Sequence, residues 1–417
     1  MKINNRLCAV ALTSLLSSST LCAASPEKPA LKDVLQKSAE EYYNEYSKKE
    51  LFTAIAVSAF IPHGKHNEPE DTTTVVAGTM GHPPFNQLIT KDDLFDIGSI
   101  TKSFTALILL QLQAEGKLSL DDPLGKWLPQ YEEWKEVTLR RLLNMTSGIP
   151  NYSADHEFEQ KMMDDLTRVW TDEELIAHAH PERPIEYNEN NPFDYSNTNY
   201  ILAGLVIEKV TQDTFENQLQ KRIVKDHLHH SYYPAGPGGS EVQKAIESKK
   251  LHNYFYDEDT KIMYDTFDNS LSWAGAAGAI VANTEDVVRW VQLLYHGTLL
   301  HPEHREKALA ELESVVSMKT GLPIATVTAE DPSAFGLGVG YHYDEQSKQR
   351  FWTYQGSTLG FRVMYLWNPC NEVITVVALN SKGGEGKESS ELGNQIAAEN
   401  IKLYNSIIDL YPDLRCS

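Results

Sequence analysis

Segments typical of β-strands lie near both ends of the sequence, whereas segments typical of helices fill most of the middle. The strand patterns are short runs rich in Val, Ile, Thr and aromatic residues, at 52–61, 73–78, 336–343, 350–354, 361–367 and 373–379. The helix patterns lie at 31–46, 103–115, 200–210, 283–295 (with Thr284 as its N-cap) and 397–409. This distribution predicts an α+β fold with one antiparallel sheet built from both termini. Helices would flank the sheet, and a helical lobe would be inserted between its parts.

The chain is long enough for one large two-lobed domain. Its net charge bears on a separate question, which is whether it binds nucleic acid. The sequence has 417 residues, 41% of them hydrophobic, and a formal net charge of -21. Nucleic-acid binding needs a surplus of Lys and Arg, so this acidic balance argues against a nucleic-acid partner. The charge is typical of a soluble protein.

The first residues have the features of a secretory signal peptide. Lys2 and Arg6 give a positively charged start, residues 7–16 form an apolar stretch too short to span a bilayer, and 22–24 offer small residues for cleavage. A buried first helix is the alternative interpretation. The basic start favours export, which predicts a periplasmic or secreted protein.

The domain prediction follows from this cleavage point: a signal peptide at 1–24 and one folded domain at 25–417. Leu21 before Cys22 breaks the usual lipobox, so no stable membrane anchor is expected.

The cysteine count agrees with export. Cys8 and Cys22 would leave with the signal peptide, and Cys370 and Cys416 would remain as an even pair in an oxidising compartment. We therefore predict a disulfide between them, with two unrelated free thiols as the alternative.

The first chemical motif is Ser99 followed by Lys102. Residues three apart on a helix share a face, and the apolar run at 104–112 would bury that lysine. A serine is a poor nucleophile until a base takes its proton, and a desolvated lysine can have a pKa low enough to act as that base. The backbone N–H of Ser99, at a helix start, would also face a developing oxyanion. By itself the motif is weak, because an exposed polar first turn has the same pattern.

Two further segments could complete a site. Tyr195 could relay a proton to a leaving group, and Asn197 could hold a substrate amide. Gly356 on a strand would let a ligand approach the backbone, where the N–H of Ser357 could be a second oxyanion donor. Each segment alone is also compatible with an ordinary turn or hairpin.

Together these segments resemble the serine β-lactamase-like family, which includes class C β-lactamases, D-alanyl-D-alanine carboxypeptidases, D-aminopeptidases and β-lactamase-fold esterases. The resemblance covers most of the chain after the signal peptide, from about residue 52 to 380. Its strongest stretches, in family order, are 95–131, 137–150, 193–210, 274–294 and 352–361.

The resemblance implies a β-lactamase/transpeptidase-like two-lobed fold, an acyl-enzyme mechanism, and neither metal nor cofactor. It implies Ser99 as the nucleophile, with Lys102 and Tyr195 as the proton-transfer pair. It further implies Asn197 as a substrate-amide contact and the N–H groups of Ser99 and Ser357 as the oxyanion hole. The expected substrate is a small molecule or peptide, with cell-wall fragments and β-lactams among the candidates.

The sequence departs from the family pattern at Tyr354. Lys or His commonly opens this motif in relatives that process D-Ala-D-Ala peptides or β-lactams, whose carboxylate a cation would hold. Tyrosine is neutral at pH 7. We expect Tyr354, Gly356 and Arg362 to contact substrate, with Arg362 as a candidate replacement for the missing charge.

A second departure is the His-rich stretch 225–230, where the family usually has Pro-Leu-Gly. His227, His229 and His230 have the chemistry of metal ligands, but clustered surface histidines are the more common case and no metal is predicted.

Three functional classes remain open. The first is a serine hydrolase of amides or esters, with D-amino-acid peptides or β-lactams as candidate substrates; its alternative is the esterase or D-aminopeptidase branch with weak β-lactam activity, which keeps Ser99, Lys102 and Tyr195 but varies the third motif. The second is a non-catalytic binder of penicillin or cell-wall fragments, which would not need Ser99, Lys102 and Tyr195 together. The third is a Ser-His-Asp hydrolase, and no G-x-S-x-G sequence supports it. The substrate and the oligomeric state are not predicted.

Overall fold

The protein is described by a computed structural model that covers residues 30–62, 72–185, 188, 191–257, 260–383 and 392–416. The predicted signal peptide lies outside these residues. Within them, no helix is both long and apolar enough to cross a membrane.

A large antiparallel sheet contains strands from both parts of the chain. In chain order the strands of the described residues are β1 (Ala54–Phe60), β2 (Thr73–Gly78), β3 (Phe95–Asp96), β4 (Ser231–Tyr232), β5 (Tyr254–Asp257), β6 (Ile262–Asp265), β7 (Val281–Ala282), β8 (Val315–Ser317), β9 (Pro323–Ile324), β10 (Ser333–Phe335), β11 (Gly340–Asp344), β12 (Gln349–Ser357), β13 (Arg362–Trp367), β14 (Ile374–Leu379) and β15 (Ser381–Lys382). The order in the large sheet is β2-β1-β14-β13-β12-β11-β10-β8-β9. The N-terminal hairpin β1–β2 therefore pairs with the last long strand, β14, as the strand pattern predicted.

Helices cover both faces of this sheet and form the inserted lobe. They are α1 (Leu31–Glu50), α2 (Thr101–Ala114), α3 (Leu139–Leu143), α4 (His156–Asp164), α5 (Asp172–Ala177), α6 (Thr198–Thr211), α7 (Phe215–Leu219), α8 (Lys225–His227), α9 (Gly239–Ile246), α10 (Gly275–Gly278), α11 (Thr284–Tyr295), α12 (Arg305–Leu312) and α13 (Leu392–Leu410). The terminal helices α1 and α13 pack on one face, and α11 packs on the other with the lobe beyond it. The predicted α+β architecture is confirmed.

Alternation along the strands divides the core into two layers. On β13, Val363, Tyr365 and Trp367 face the helical lobe, whereas Met364 and Leu366 face α1 and α13. Successive side chains of a strand point to opposite faces of the sheet. Every second residue of β12 and β13 therefore faces the lobe, and the residues between them face α1 and α13.

The structure revises several predicted helix ends, among them the start of the last helix, which is Leu392 rather than residue 397. The first helix continues to Glu50, whose buried carboxylate binds Arg362. The cap of α11 is Asn283, whose side chain accepts a hydrogen bond from the N–H of Asp286, and the predicted cap Thr284 is the first helical residue.

Cys370 and Cys416 are disulfide-bonded in the structure, with 6.1 Å between their Cα atoms. Cys370 lies in the turn between β13 and β14, and Cys416 lies in the tail after α13. Asn371 supports the same attachment, because its side-chain amide donates to the carbonyl of Leu414. The C-terminal tail is therefore tied to one end of the sheet.

Candidate active site

Ser99 lies at the junction between strand β3 and helix α2. The residues Gly98–Ile100 form a single 3₁₀ turn that runs directly into the helix at Thr101. Gly98 has φ +50°, and a Cβ atom there would lie 2.6 Å from the backbone nitrogen of Ser357. Glycine is therefore required for this close approach, which brings Ser99 against the end of β12.

Lys102 is one turn further along and points into the same space. Its Nζ lies 3.1 Å from Oγ of Ser99, 2.7 Å from Oδ1 of Asn197 and 2.8 Å from the carbonyl oxygen of Ala277. The residue is fully buried. Burial lowers the pKa of Lys102, and the Tyr195 phenol opposes that shift. Among the described residues, no carboxylate lies within hydrogen-bond or ion-pair distance of this amine.

Tyr195 reaches Ser99 from the segment just before α6. Its hydroxyl lies 2.8 Å from Oγ of Ser99 and 3.2 Å from the hydroxyl of Tyr354. Burial by itself would raise the pKa of Tyr195, but nearby Lys102 and the hydrogen bonds from Lys102, Ser99 and Tyr354 bring it below its ordinary value. Ser99 is therefore placed between two groups that can each take its proton.

Asn197 forms the polar floor beside Lys102. Its Oδ1 accepts from Lys102, and its Nδ2 donates to Oγ of Ser153 at 2.9 Å. Its backbone N–H donates to Oδ1 of Asn151. Both ends of the Asn197 amide are thus engaged, and this residue orients Lys102.

Three further contacts of the site are not predicted by the sequence patterns: Asn151, Ser153 and the carbonyl of Ala277. Asn151 and Ser153 lie just beyond the stretch 137–150 of the family resemblance, at a short 3₁₀ turn. The carbonyl of Ala277 lies inside the stretch 274–294, where a backbone oxygen leaves no mark in the sequence. The position of the two polar side chains next to a family stretch is the one sequence feature that points to them.

The end of strand β12 forms the opposite wall. A Cβ atom on Gly356 would overlap the carbonyl oxygen of Ile97 and lie 2.9 Å from the backbone nitrogen of Ser99. The backbone nitrogens of Ser99 and Ser357 therefore belong to two segments in direct contact. Both residues line a cavity of about 30 Å³, together with Asn197, Tyr152 and Trp273. A cavity of this size can accept a water molecule or a substrate carbonyl oxygen.

The prediction that Arg362 contacts substrate is wrong. Arg362 is two residues from Met364 on β13, so both side chains lie on the face of the sheet that is covered by α1 and α13. There its guanidinium binds Oε2 of Glu50 at 2.6 Å and the carbonyl and hydroxyl oxygens of Ser381. Tyr354 lies on the opposite face, next to Tyr195, so Arg362 cannot replace a cation at that position.

The His-rich stretch has a structural role in its backbone. The N–H groups of His229 and His230 donate to the carboxylate of Asp286, and Oγ of Ser231 donates to the same group. Asp286 thus links the turn after α8 to the first turn of α11.

A family profile and several known proteins are similar to this chain. The profile described as Beta-lactamase matches residues 72–398. Penicillin-binding protein 4* of Bacillus subtilis (strain 168) is 25% identical over 238 residues, which are 52% of this chain and 49% of that protein. Protein flp of Staphylococcus aureus (strain N315) is 26% identical over 336 residues, 76% of this chain and 59% of that protein. The chain therefore spans only about half to three-fifths of the length of these curated relatives.

Solved structures share the fold. The D-stereospecific amidohydrolase from Streptomyces sp. has a TM-score of 0.66 and 26% identity, over 88% of this chain and 98% of that chain. The D-amino acid amidase from Ochrobactrum anthropi SV3 complexed with D-phenylalanine has a TM-score of 0.71 and 20% identity, over 90% and 99% of the two chains. The second likeness, at this identity, concerns the fold alone.

Proposed function

The chain belongs to the Beta-lactamase family, and on that premise we propose that it is a serine hydrolase that forms an acyl-enzyme on Ser99. The observation that carries the proposal is the contact set of Ser99, whose Oγ lies 3.1 Å from Lys102 Nζ and 2.8 Å from the Tyr195 hydroxyl. A nucleophile and its base at hydrogen-bond distance, with the base oriented by a third group, is the arrangement that nucleophilic catalysis needs. Asn197 is that third group.

In the proposed reaction, Oγ of Ser99 attacks the carbonyl carbon of an ester or amide, and its proton passes to the Lys102–Tyr195 pair. The N–H groups of Ser99 and Ser357 stabilise the tetrahedral oxyanion. Collapse of that intermediate breaks the bond to the leaving group, which takes the proton from Tyr195. Water then hydrolyses the acyl ester by the same steps, so that one acid and one alcohol or amine are released for each water consumed.

We propose further that the preferred substrates are neutral esters or amides. Tyr354 stands beside Tyr195 with only a phenolic hydroxyl to offer, and burial raises the pKa of Tyr354 well above its ordinary value, with Tyr195 adding to the shift. Arg362, the replacement considered from the sequence, is bound to Glu50. A charge-assisted hydrogen bond is about twice as strong as a neutral one, so carboxylate-bearing ligands lose about 1–2 kcal/mol, on the order of tenfold in affinity.

The test compares kcat/KM for a penicillin, a D-Ala-D-Ala peptide and a neutral p-nitrophenyl ester in wild type, Tyr354→Lys and Tyr354→Phe. The wild type is expected to favour the neutral ester, and Tyr354→Lys to shift the ratio about tenfold toward the carboxylate-bearing substrates. Tyr354→Phe is the matched control for loss of the hydroxyl alone. An efficient wild-type β-lactamase that Tyr354→Lys leaves unchanged would contradict the substrate proposal. A penicillin adduct with no turnover of any substrate would favour a non-catalytic binder.

We also propose that the protein is exported to the periplasm or secreted. The basic start at Lys2 and Arg6 and the pairing of Cys370 with Cys416 support this. The N-terminal residue of the purified protein and non-reducing peptide mapping test it. A retained residue Met1 together with free thiols at both cysteines would contradict export.

A further inference from the structure

Asp96 and Thr358 flank the two segments that carry the proposed oxyanion donors. Asp96 ends strand β3, three residues before Ser99, and Thr358 directly follows Ser357 at the end of β12. Glycines allow these segments to touch, because Gly98 and Gly356 leave no side chain between them. Because glycine has no side chain, neither Gly98 nor Gly356 can form a side-chain hydrogen bond that would hold the two segments together.

A buried polar cluster supplies that connection. The hydroxyl of Thr358 donates to Oδ2 of Asp96 at 3.3 Å, and Nζ of Lys250 lies 3.4 Å from Oδ1 of the same carboxylate. Nζ of Lys250 also donates to the carbonyl of Phe267 at 3.5 Å. Asp96, Thr358 and Lys250 are each at most 2% exposed. The carboxylate thereby joins the segment before the nucleophile to the segment after the second donor.

We infer that Asp96, held by Lys250, is a positioning residue that fixes the distance between the backbone N–H groups of Ser99 and Ser357. The inference rests on the proposed function, because it concerns the proposed oxyanion hole. Such donors act when they lie 2.7–3.1 Å from the developing oxyanion, and a displacement of about 1 Å can cost about 100-fold in rate. None of the three side chains is assigned a direct contact with substrate.

A structural role alone is the competing explanation for a buried ion pair. Apolar residues of similar volume often replace a buried pair with no loss of stability. The double variant Asp96→Leu with Lys250→Met therefore separates the two roles. It removes the connection to Thr358 while keeping the volume filled.

The experiment measures kcat and KM per active site, with sites counted by labelling to completion with a fluorophosphonate. The double variant is expected to unfold near the wild-type temperature, yet to lose about 10- to 100-fold in kcat with little change in KM. Its affinity for a boronic acid, which mimics the tetrahedral intermediate, should fall by the same factor. Asp286→Asn is the matched control: it alters another buried carboxylate, so it should lower stability while leaving kcat per labelled site unchanged.

Thr358→Val keeps the Asp96–Lys250 ion pair and removes one hydroxyl, so it decides the question if the double variant does not fold. We expect a fall in kcat of about threefold to tenfold. Wild-type kcat per labelled site in Thr358→Val and in the double variant, where it folds, would overturn the inference alone. A wild type that takes no label on Ser99 would overturn both the proposed function and this inference.

Discussion

Two buried cations of this chain lie in opposite electrostatic surroundings. Arg362, between the sheet and the terminal helices, binds the carboxylate of Glu50 at 2.6 Å. Lys102, beside the nucleophile, contacts a hydroxyl, an amide oxygen and a carbonyl oxygen. An adjacent carboxylate favours the charged form of a cation, whereas burial without one favours the neutral form.

The difference separates a group that holds the fold together from a group that can exchange a proton. Arg362 is committed to a fixed ion pair, so its loss should affect stability. Burial lowers the pKa of Lys102, so its neutral amine is accessible and its loss should affect turnover.

The largest expected effect is therefore catalytic. Lys102→Met should lower kcat/KM on a neutral ester on the order of 10³-fold or more, because residues that act as one unit lose most activity when any member is removed. Thermal stability should change little, because removal of a buried amine without a carboxylate partner offsets the loss of its hydrogen bonds to Asn197 and Ala277. Calorimetry and steady-state kinetics on the same sample check both parts. Near-normal turnover, or a clear loss of stability, would show that Lys102, like Arg362, serves to stabilise the fold and not to transfer a proton.

The opposite pattern is expected at Glu50. Glu50→Ala should lower the free energy of unfolding by about 3–5 kcal/mol, because it leaves the Arg362 guanidinium buried without its carboxylate. The variant Glu50→Leu with Arg362→Met should recover most of that stability, since apolar residues fill the same volume. Urea unfolding measures both variants, and kcat per folded molecule should stay near the wild-type value. Equal stability of Glu50→Ala and wild type would show that the ion pair between Glu50 and Arg362 does not stabilise the fold.

A third titratable group, the partly buried Asp172 at the start of α5, extends the comparison to pH dependence. Burial, with additions from Glu208 and Glu173, raises the pKa of Asp172 from 3.8 to about 7. The folded state therefore binds this proton more tightly than the unfolded state, so the contribution to stability is present at low pH. It is lost as pH rises from about 4 through about 7. Each pKa unit corresponds to about 1.4 kcal/mol, so a few kcal/mol at most are involved.

Asp172→Asn removes this titration. Its stability should depend less on pH between about 4 and 8, and at pH 8 it should unfold at a higher temperature than wild type. Glu173→Gln, at the exposed neighbouring position, removes one of the charges that raise the pKa of Asp172, so its curve should lie between those of wild type and Asp172→Asn. Parallel curves for wild type and Asp172→Asn would mean that Asp172 titrates normally.

Local patterns carried most of the prediction of the fold. The strand at 73–78 and the helices of the core follow from periodicity, because apolar spacing depends only on neighbouring residues. The end of α1 did not follow, since its last turn is polar and is held by the distant Arg362. The choice between Asn283 and Thr284 as a cap depends on one residue of register, which periodicity does not resolve.

The residues of the site could be predicted where reactive residue types occur at a helical spacing. They could not be predicted where tertiary packing determines the direction of a side chain. Ser99 and Lys102 are three residues apart, so their proximity follows from helix geometry. The orientation of Arg362 depends on the register of β13 with its neighbours, because a shift of one residue reverses the face. Ser153 and Ala277 join the site through contacts with residues distant in the sequence, which no local sequence pattern predicts.

The central claim is that Ser99 is the acylated residue, and covalent labelling tests it most directly. Wild type and Ser99→Ala are each incubated with a fluorophosphonate and with a penicillin, and intact mass and peptide mapping locate any adduct. We expect one adduct per wild-type molecule, on the peptide that contains Ser99, and none on Ser99→Ala, which should also lack turnover. Equal labelling or wild-type turnover in Ser99→Ala, or an adduct on another residue of the wild type, would contradict it.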